Sequence, residues 1–479
     1  LDTANITSLL NRTGFLKNAE QTVVLRFGQV LEKQKGYSPI DSLAQYKSPN
    51  SRYIGSPQKI FAAYRFKGKN VSMGLITEKD PGELFFKQHS GFDFYSAHAF
   101  IHDATTKKAV AIGDYTISFG QGLTAWSGNS LGKSVEMLYA KKSAGGIRPS
   151  TSADENRFMR GIAASYNIRK IKGTFFYSRK RIDAKVSDTL ENGEPAAISS
   201  LQQSGIHSTP SEIQGKHAVL QTLYGGNLNY SGNRASMGLT FIHDQLHLPF
   251  QSSPGFDDEK SKQQQFSTGL DYQFIVRNFL FFGETAMSDN TGIALLNGVF
   301  ISLDPRLGIT VLHRYYGGTY QNRFSTSFGE SGSSNEKGLY MGITANLTRF
   351  ISINACFDRF EFPWLKYQVD APSKGNDLNA QLSYLPSKKL SAVFRYRKRY
   401  QQKNTRNEIP LRYLSSVHSE NYRFSISYSG TKELTLRNRI ELMRYKREAE
   451  TQTGYLIYQD IFYKPGSSFS ATLRYALFQ

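Results

Sequence analysis

The stretch Tyr422-Arg-Phe-Ser-Ile-Ser-Tyr428 decides the fold. Tyr422, Phe424, Ile426 and Tyr428 alternate with Arg423, Ser425 and Ser427. Successive side chains of a strand point to opposite faces, so this segment has one apolar face and one wettable face. The alternation recurs on either side of it. Leu434, Leu436, Ile440 and Leu442 oppose Thr435, Arg437, Arg439 and Glu441. Phe266, Leu270, Tyr272 and Phe274 face away from Ser267, Gly269, Asp271 and Gln273, and Phe469 to Leu477 repeats the pattern. Roughly 21 such segments of about ten residues follow one another, and a helix is expected only over residues 4–12.

Composition narrows the class. The 479 residues include 33 Phe, 28 Tyr and 40 Gly, with 59 Lys+Arg against 39 Asp+Glu, a net charge of +20. No run approaches the roughly 18 consecutive apolar residues of a spanning helix. The single Cys356 excludes a disulfide scaffold and a cysteine-built metal centre. So many aromatics are foreign to a disordered chain. Residues 1–20 lack the basic start and apolar stretch of a secretory signal. The chain opens on Leu1, which reads as a mature or trimmed terminus.

The connections alternate in length. Short ones fall at Gly68–Asn70, Arg169–Lys170, Ser231–Asn233, Arg277–Asn278, Asp304–Arg306, Thr348–Arg349, Pro386–Lys388, Ser429–Thr431 and Lys464–Ser467. Long polar ones fall near 34–56, 79–91, 120–157, 186–215, 248–263, 320–336, 363–376 and 402–419. Turns on one side and loops on the other are the anatomy of an outer-membrane barrel, whose outer face is apolar and whose lumen is polar. Propeller repeats are missing, and a soluble sandwich needs a dry core from faces that here read Ser, Thr, Gly, Asn and Arg. The expected fold is therefore all-β: a large antiparallel transmembrane β-barrel of about 20–26 strands over residues 21–479, preceded by an N-terminal extension at 1–20. An odd count of spans conflicts with the even numbers of single-chain bacterial barrels. Either 408–418 hides a strand or the chain is cut before closure.

On this reading the surplus charge belongs in the lumen and loops. Arg179 and Arg181, Arg395, Arg397 and Arg399, and Arg437 and Arg439 form basic ladders and are the expected anion-binding lumen residues. Same-face neighbours lie about 7 Å apart, close to the spacing of phosphates along a nucleic-acid strand. These arginines could equally pair with lumen carboxylates or meet lipopolysaccharide phosphates at strand ends. The 120–157 loop is Gly-rich and long enough to fold inward as a constriction. Its candidate lining residues are Gln121, Trp126, Lys133, Arg148, Asp154, Glu155, Asn156 and Arg157, with Arg160 just beyond. Gly128–Ser134 has three residues between its glycines, where a phosphate-binding loop needs four. Ser96, His98 and His102 share a strand face, an arrangement ill suited to proton transfer between nucleophile and base. Neither an enzyme, a cofactor nor a metal site is expected, and Cys356 reads as inert.

Several stretches carry a resemblance. They include Val30–Tyr37 (VLEKQKGY), Thr77–Glu83 (TEKDPGE), Gly91–His98 (GFDFYSAH), Phe119–Thr124 (FGQGLT), Gly146–Pro149 (GIRP) and Asp154–Phe158 (DENRF). Over residues 23–165 the chain resembles the β-rich region of Bacteroidota outer-membrane proteins that carry helix-hairpin-helix domains and are related to ComEA-type competence DNA-binding proteins. The resemblance implies helix-hairpin-helix repeats ahead of this sequence and further strands past Arg474–Phe478, which reads as a chain trimmed at both ends. Through those repeats it implies a DNA-binding role.

Two functions remain open at this stage. The first is a basic-lumen pore or translocation channel for an anionic polymer, DNA uptake being one case. The second is a non-conducting surface scaffold whose long loops bind another envelope protein or a glycan. The expected surroundings are membrane lipid and lipopolysaccharide of a Gram-negative outer membrane.

Overall fold

The computed structural model describes residues 19–85, 91–103, 108–128, 132–191, 193–251, 262–289, 291–330, 332–405 and 413–479. The helix expected at 4–12, most of the 1–20 extension and residues 408–412 lie outside the described residues. Strands run in chain order as β1 (Glu20–Gly28), β2 (Lys59–Lys67), β3 (Val71–Lys79), β4 (Phe94–Asp103), β5 (Lys108–Ser118), β6 (Gly146–Pro149), β7 (Met159–Ile168) and β8 (Ile171–Ile182). They continue as β9 (Ala184–Thr189), β10 (Pro195–Leu201), β11 (Val219–Ser231), β12 (Ala235–Leu246), β13 (Gln264–Val276), β14 (Phe279–Ser288), β15 (Ile293–Asp304) and β16 (Leu307–Tyr316). The last are β17 (Glu336–Asn346), β18 (Ile351–Phe362), β19 (Ser373–Ser387), β20 (Leu390–Asn404), β21 (Leu414–Ser429), β22 (Leu434–Arg447), β23 (Glu450–Tyr463) and β24 (Ala471–Phe478).

One 22-stranded sheet contains all of these except the β9–β10 hairpin, and with the four-residue β6 set aside, 21 strands make an antiparallel up-and-down wall. Among the described residues β1 pairs with β2 alone and β24 with β23 alone. The sheet is strongly curled. Gln121 lies three residues past the end of β5, so it can reach about 11 Å from Ser118. Six strand spacings separate β5 from β14, about 29 Å on a flat sheet. Yet the Gln121 N–H donates to Glu284 of β14.

The polarity of the wall is inverted relative to a soluble protein. Half-exposed outer rows hold Leu228, Leu239, Leu270, Phe394, Phe424, Ile440 and Ile457. Inner rows bury Asn227, Thr240, Asp244, Ser267, Glu284, Arg314, Asp358 and Asp377. Water would penalise so much exposed apolar surface. Hydrocarbon accepts it where backbone groups are met by a neighbouring strand, as the continuous ladders ensure for the strands between β1 and β24. A testable consequence is Leu239→Arg, near the middle of β12. At 51 % exposure in the isolated chain, a water-facing Leu239 would tolerate the change within about 0.5 kcal/mol. A lipid-facing one loses about 2–4 kcal/mol, as read by denaturant unfolding from vesicles.

Candidate functional site

Two loops turn back into the enclosed space. The first, 119–158, follows β5; the second, 317–335, follows β16. Glu284 on the inner row of β14 fastens the first. Its carboxylate accepts the N–H groups of Gln121 (2.5 Å), Leu123 (3.0 Å) and Thr124 (2.8 Å) and the Thr124 hydroxyl (2.7 Å). Gly120 makes the approach possible. Its backbone is in the left-handed region, and a Cβ there would sit 2.5 Å from the Glu284 carboxylate.

The loops also bind each other. The Tyr320 hydroxyl donates to the Leu123 carbonyl (2.8 Å), the Asn322 amide to that of Thr124 (2.7 Å), and the Trp126 N–H to that of Phe324 (2.8 Å). Leu123 and Ala140 of the first loop share an apolar core with Tyr320 and Phe328 of the second and with Phe282, Leu296, Leu312 and Tyr340 of the wall.

A second fastening lies on β16–β18. Arg314, fully buried, donates through Nε to Glu336 (2.6 Å) and through both terminal nitrogens to Asp358 (2.7 and 3.0 Å). Gly338 stands opposite, where a Cβ would be 2.3 Å from the guanidinium carbon. Lys133 adds a second cation to Asp358 and bridges it to Glu330 of the second loop. Glu330 in turn accepts from Arg399 on β20. The plug thus spans from β5 to β20.

A cavity lies on the inner side of β20–β22. Its volume is about 600 Å³, and it is lined by Arg395, Arg397, Arg399 and Lys403 of β20, with Arg423 and Glu441 beside them. Arg397 pairs with Asp377 (3.0 Å through Nε) and Arg423 is bidentate to Glu441 (2.8 and 3.1 Å). Arg395 instead donates to the Asn379 amide oxygen (2.9 Å) and Arg439 to the Ser425 hydroxyl (3.3 Å). Arg437 and Arg439 lie over Phe462 and Tyr458, at 5.0 and 5.1 Å.

The other expected residues divide. Arg148, Asp154 and Arg157 line a smaller cavity of about 270 Å³ with Trp126. Glu155 and Asn156 belong to a clasp at the loop end, where the Asn156 carbonyl accepts from Lys180 (2.7 Å). There buried His207 sits between Asp93 (2.5 Å) and Asp183 (3.0 Å), with Glu83, Glu155, Lys216 and His217 around it. Burial pushes Glu83 up to about 7 and Glu155 to about 9, with Asp93 adding repulsion to both. Burial also opposes the His207 cation, but the hydrogen bonds of Asp183 and Asp93 prevail and lift it to about 10.

Three expectations are corrected. Arg179 and Arg181 belong to the same row as outward Phe175, while Phe176, Ser178 and Lys180 take the buried inner row. These arginines point away from the lumen at the loop end of the wall. Arg160 likewise shares the outer row of β7 with exposed Ile162 and covers Asp114 through two bonds of 2.7 and 2.8 Å. Sequence reading missed Glu284, Arg314, Asp358 and the inward 317–335 loop. The available signal was a lone charge in the middle of an inner row of small and aromatic residues, as in Phe282-Gly-Glu-Thr-Ala286.

No family model and no curated protein matches this sequence. Solved structures do. Pseudomonas aeruginosa OpdK, determined with vanillate, matches at 9 % identity and a TM-score of 0.36 over 97 % of this chain and 100 % of that one. OprD of the same organism matches at 12 % and 0.37 over 72 % and 81 %. Wzi of Escherichia coli, described as a carbohydrate-binding barrel involved in group 1 capsule assembly, matches at 9 % and 0.33 over 99 % and 88 %. Likeness at this level supports no residue-by-residue argument. The inverted polarity, the continuous ladders and the turn–loop asymmetry of the chain itself make it an outer-membrane β-barrel.

Cys356 gives a probe of the plug, because its thiol lies under the Ser134 carbonyl, 3.6 Å away. Glu284→Ala leaves three backbone N–H groups of the first loop without their acceptor. Removing such a buried charged partner costs about 3 kcal/mol of local stability, so thiol labelling of Cys356 should accelerate on the order of a hundredfold. Unchanged labelling would show that the plug is held elsewhere. The loop-end clasp gives a pH test. The raised values of His207, Glu83 and Glu155 contribute stability below the ordinary 6.5 and 4.5, lost as pH climbs toward about 10, 7 and 9. Hydrogen exchange of residues 203–217, corrected for intrinsic rates, should therefore quicken from pH 6 to 10, and His207→Gln should flatten the dependence.

Proposed function

We propose that this barrel is a restricted outer-membrane channel in which an anionic solute moves along the β20–β22 wall, beside the two-loop plug. The cavity rimmed by Arg395, Arg397, Arg399, Lys403 and Arg423 carries this reading. Its cations are graded: some are held by carboxylates, while Arg395, like Arg439 further along the inner row of β22, bonds only neutral oxygens among the bonds described above and so keeps its field for a passing anion. A flexible anionic polymer suits a path with several charge sites in file. DNA is one such polymer, and its support is the resemblance to the helix-hairpin-helix proteins alone.

The alternative is a scaffold barrel that does not conduct and presents its long loops to an envelope protein or glycan. The zero exposure of Arg314 and Glu336 favours it, since a plug stitched into the wall is slow to move. Planar-bilayer recording separates the two. The channel reading expects anion-selective conductance that Arg395→Glu with Arg397→Glu turns toward cations, and that deletion of residues 125–150 enlarges. A barrel silent even after that deletion, purified with a stoichiometric partner, is the scaffold. DNA binding that does not weaken as salt rises would remove the nucleic-acid case, because phosphate neutralisation releases counterions.

A further inference from the structure

The turn end of the wall carries charge in a different pattern from the loop end. Arg169 and Lys170 form the β7–β8 turn, Arg277 lies in the β13–β14 turn, Arg349 in the β17–β18 turn, and Lys388 and Lys389 form the β19–β20 turn. The turns at 68–70, 232–234, 305–306, 430–433 and 464–470 hold at least one Lys or Arg each. Every described turn of this end therefore bears a cation, and each of these side chains is exposed. Acidic residues are sparse there: Asp304 folds back on Arg306 (3.4 Å), and Glu433 flanks Lys432. At the loop end, by contrast, acidic residues are present to pair with cations, as Asp154 does with Arg157 and Asp93 with Lys216.

Just inside the cations runs a row of aromatics. Arg349 lies 4.5 Å over Phe350 and Lys108 lies 4.4 Å over Tyr166. Tyr230, Tyr428 and Tyr463 are half-exposed on the outer face near the same end. Apolar wall, aromatic row and then cations is the order of a membrane boundary: hydrocarbon, interface, headgroup phosphate.

We infer that this rim is a collar for acidic phospholipid headgroups of the leaflet that faces the periplasm. The even spacing selects the occupant. A protein partner would be met by a patch on one flank, whereas one cation per turn around the wall answers a surface that surrounds the barrel. Lys and Arg beside a leaflet draw acidic lipids, and the attraction falls within a Debye length. The inference rests on the membrane barrel and holds whether or not the lumen conducts.

The test uses the purified barrel in phosphatidylethanolamine vesicles doped with spin-labelled phosphatidylglycerol or spin-labelled phosphatidylcholine. Electron paramagnetic resonance reads the fraction of each label in the shell around the protein. The collar expects severalfold preference for phosphatidylglycerol, declining as salt is raised. It expects the preference to drop in the combined variant Arg277→Ser, Arg349→Ser, Lys388→Ser, Lys389→Ser, but not in the loop-end control Arg157→Ser. If the combined variant does not fold, the wild-type preference and its salt dependence decide. Equal association of both labels with the wild type overturns the inference. So does a folded rim variant that keeps its lipid preference, or one that loses an acidic envelope protein while its lipid shell stays the same.

Discussion

Hydrocarbon offers no partner to a peptide N–H or carbonyl, so a chain that crosses it in strands must supply each of those bonds from the next strand. The long antiparallel ladders satisfy that demand on both sides of each long strand between β1 and β24, and the rest of the molecule is arranged around it. Because side chains alternate across each strand, an outer row fit for lipid sends most polar residues of the wall inward, with exceptions such as Arg179 and Arg181 at the loop end. Inner residues then face a second requirement. Where loops displace water from them, their charges must find partners within the protein, since an unpaired buried charge is far costlier than a paired one.

That second requirement accounts for the uneven filling of the lumen. On the β5–β18 side the inner rows combine small and aromatic residues with isolated charges such as Glu284 and Asp358. Loops can pack against such a surface, and each isolated charge then becomes an anchor: Glu284 for backbone N–H groups, Asp358 for Arg314 and Lys133. On β20 the inner row carries Arg395, Arg397, Arg399 and Lys403. Arg395 faces Arg423 directly across the ladder, with Arg397 next along its own strand. Like charges at that spacing repel and need water or counter-ions between them. A loop laid over them would strip that water, so the loops reach this row only at Arg399, through the Glu330 carboxylate.

The same logic explains what the sequence revealed and what it withheld. The wall was legible because alternation is local: Tyr422 to Tyr428 assigns its own two faces without knowledge of any other segment. The turn–loop asymmetry was legible for the same reason. Arg179 and Arg181 misled because a charge near a strand end satisfies either face, the lumen or the headgroup layer, and only the buried Phe176 and Ser178 of the same strand settle which. The anchors were illegible because they are non-local. Glu284 meets residues some 160 positions earlier, and nothing in its own neighbourhood names the Gly120–Thr124 turn as its partner. Likewise the second loop, 317–335, reads as ordinary polar sequence until Leu123 and Trp126 supply the acceptor and donor that it meets.

Net charge is a poor guide to the lumen of such a molecule. Arg395 stands six residues along β20 from Lys389, about 20 Å from the turn rim. At physiological ionic strength the Debye length is about 8 Å, so the field of the rim has largely decayed by that depth. The turn cations therefore add to the total of +20 without charging the β20–β22 cavity. The potential there depends on near neighbours: Asp377, Glu330 and Glu441 offset three of the arginines, while Arg395 and Arg439 bond the neutral oxygens of Asn379 and Ser425. A variant that alters one of these neighbours by a single charge changes the local field more than several substitutions on the turns. The cations of the turns and those of the β20–β22 cavity are thus electrostatically separate, each set by its own near neighbours.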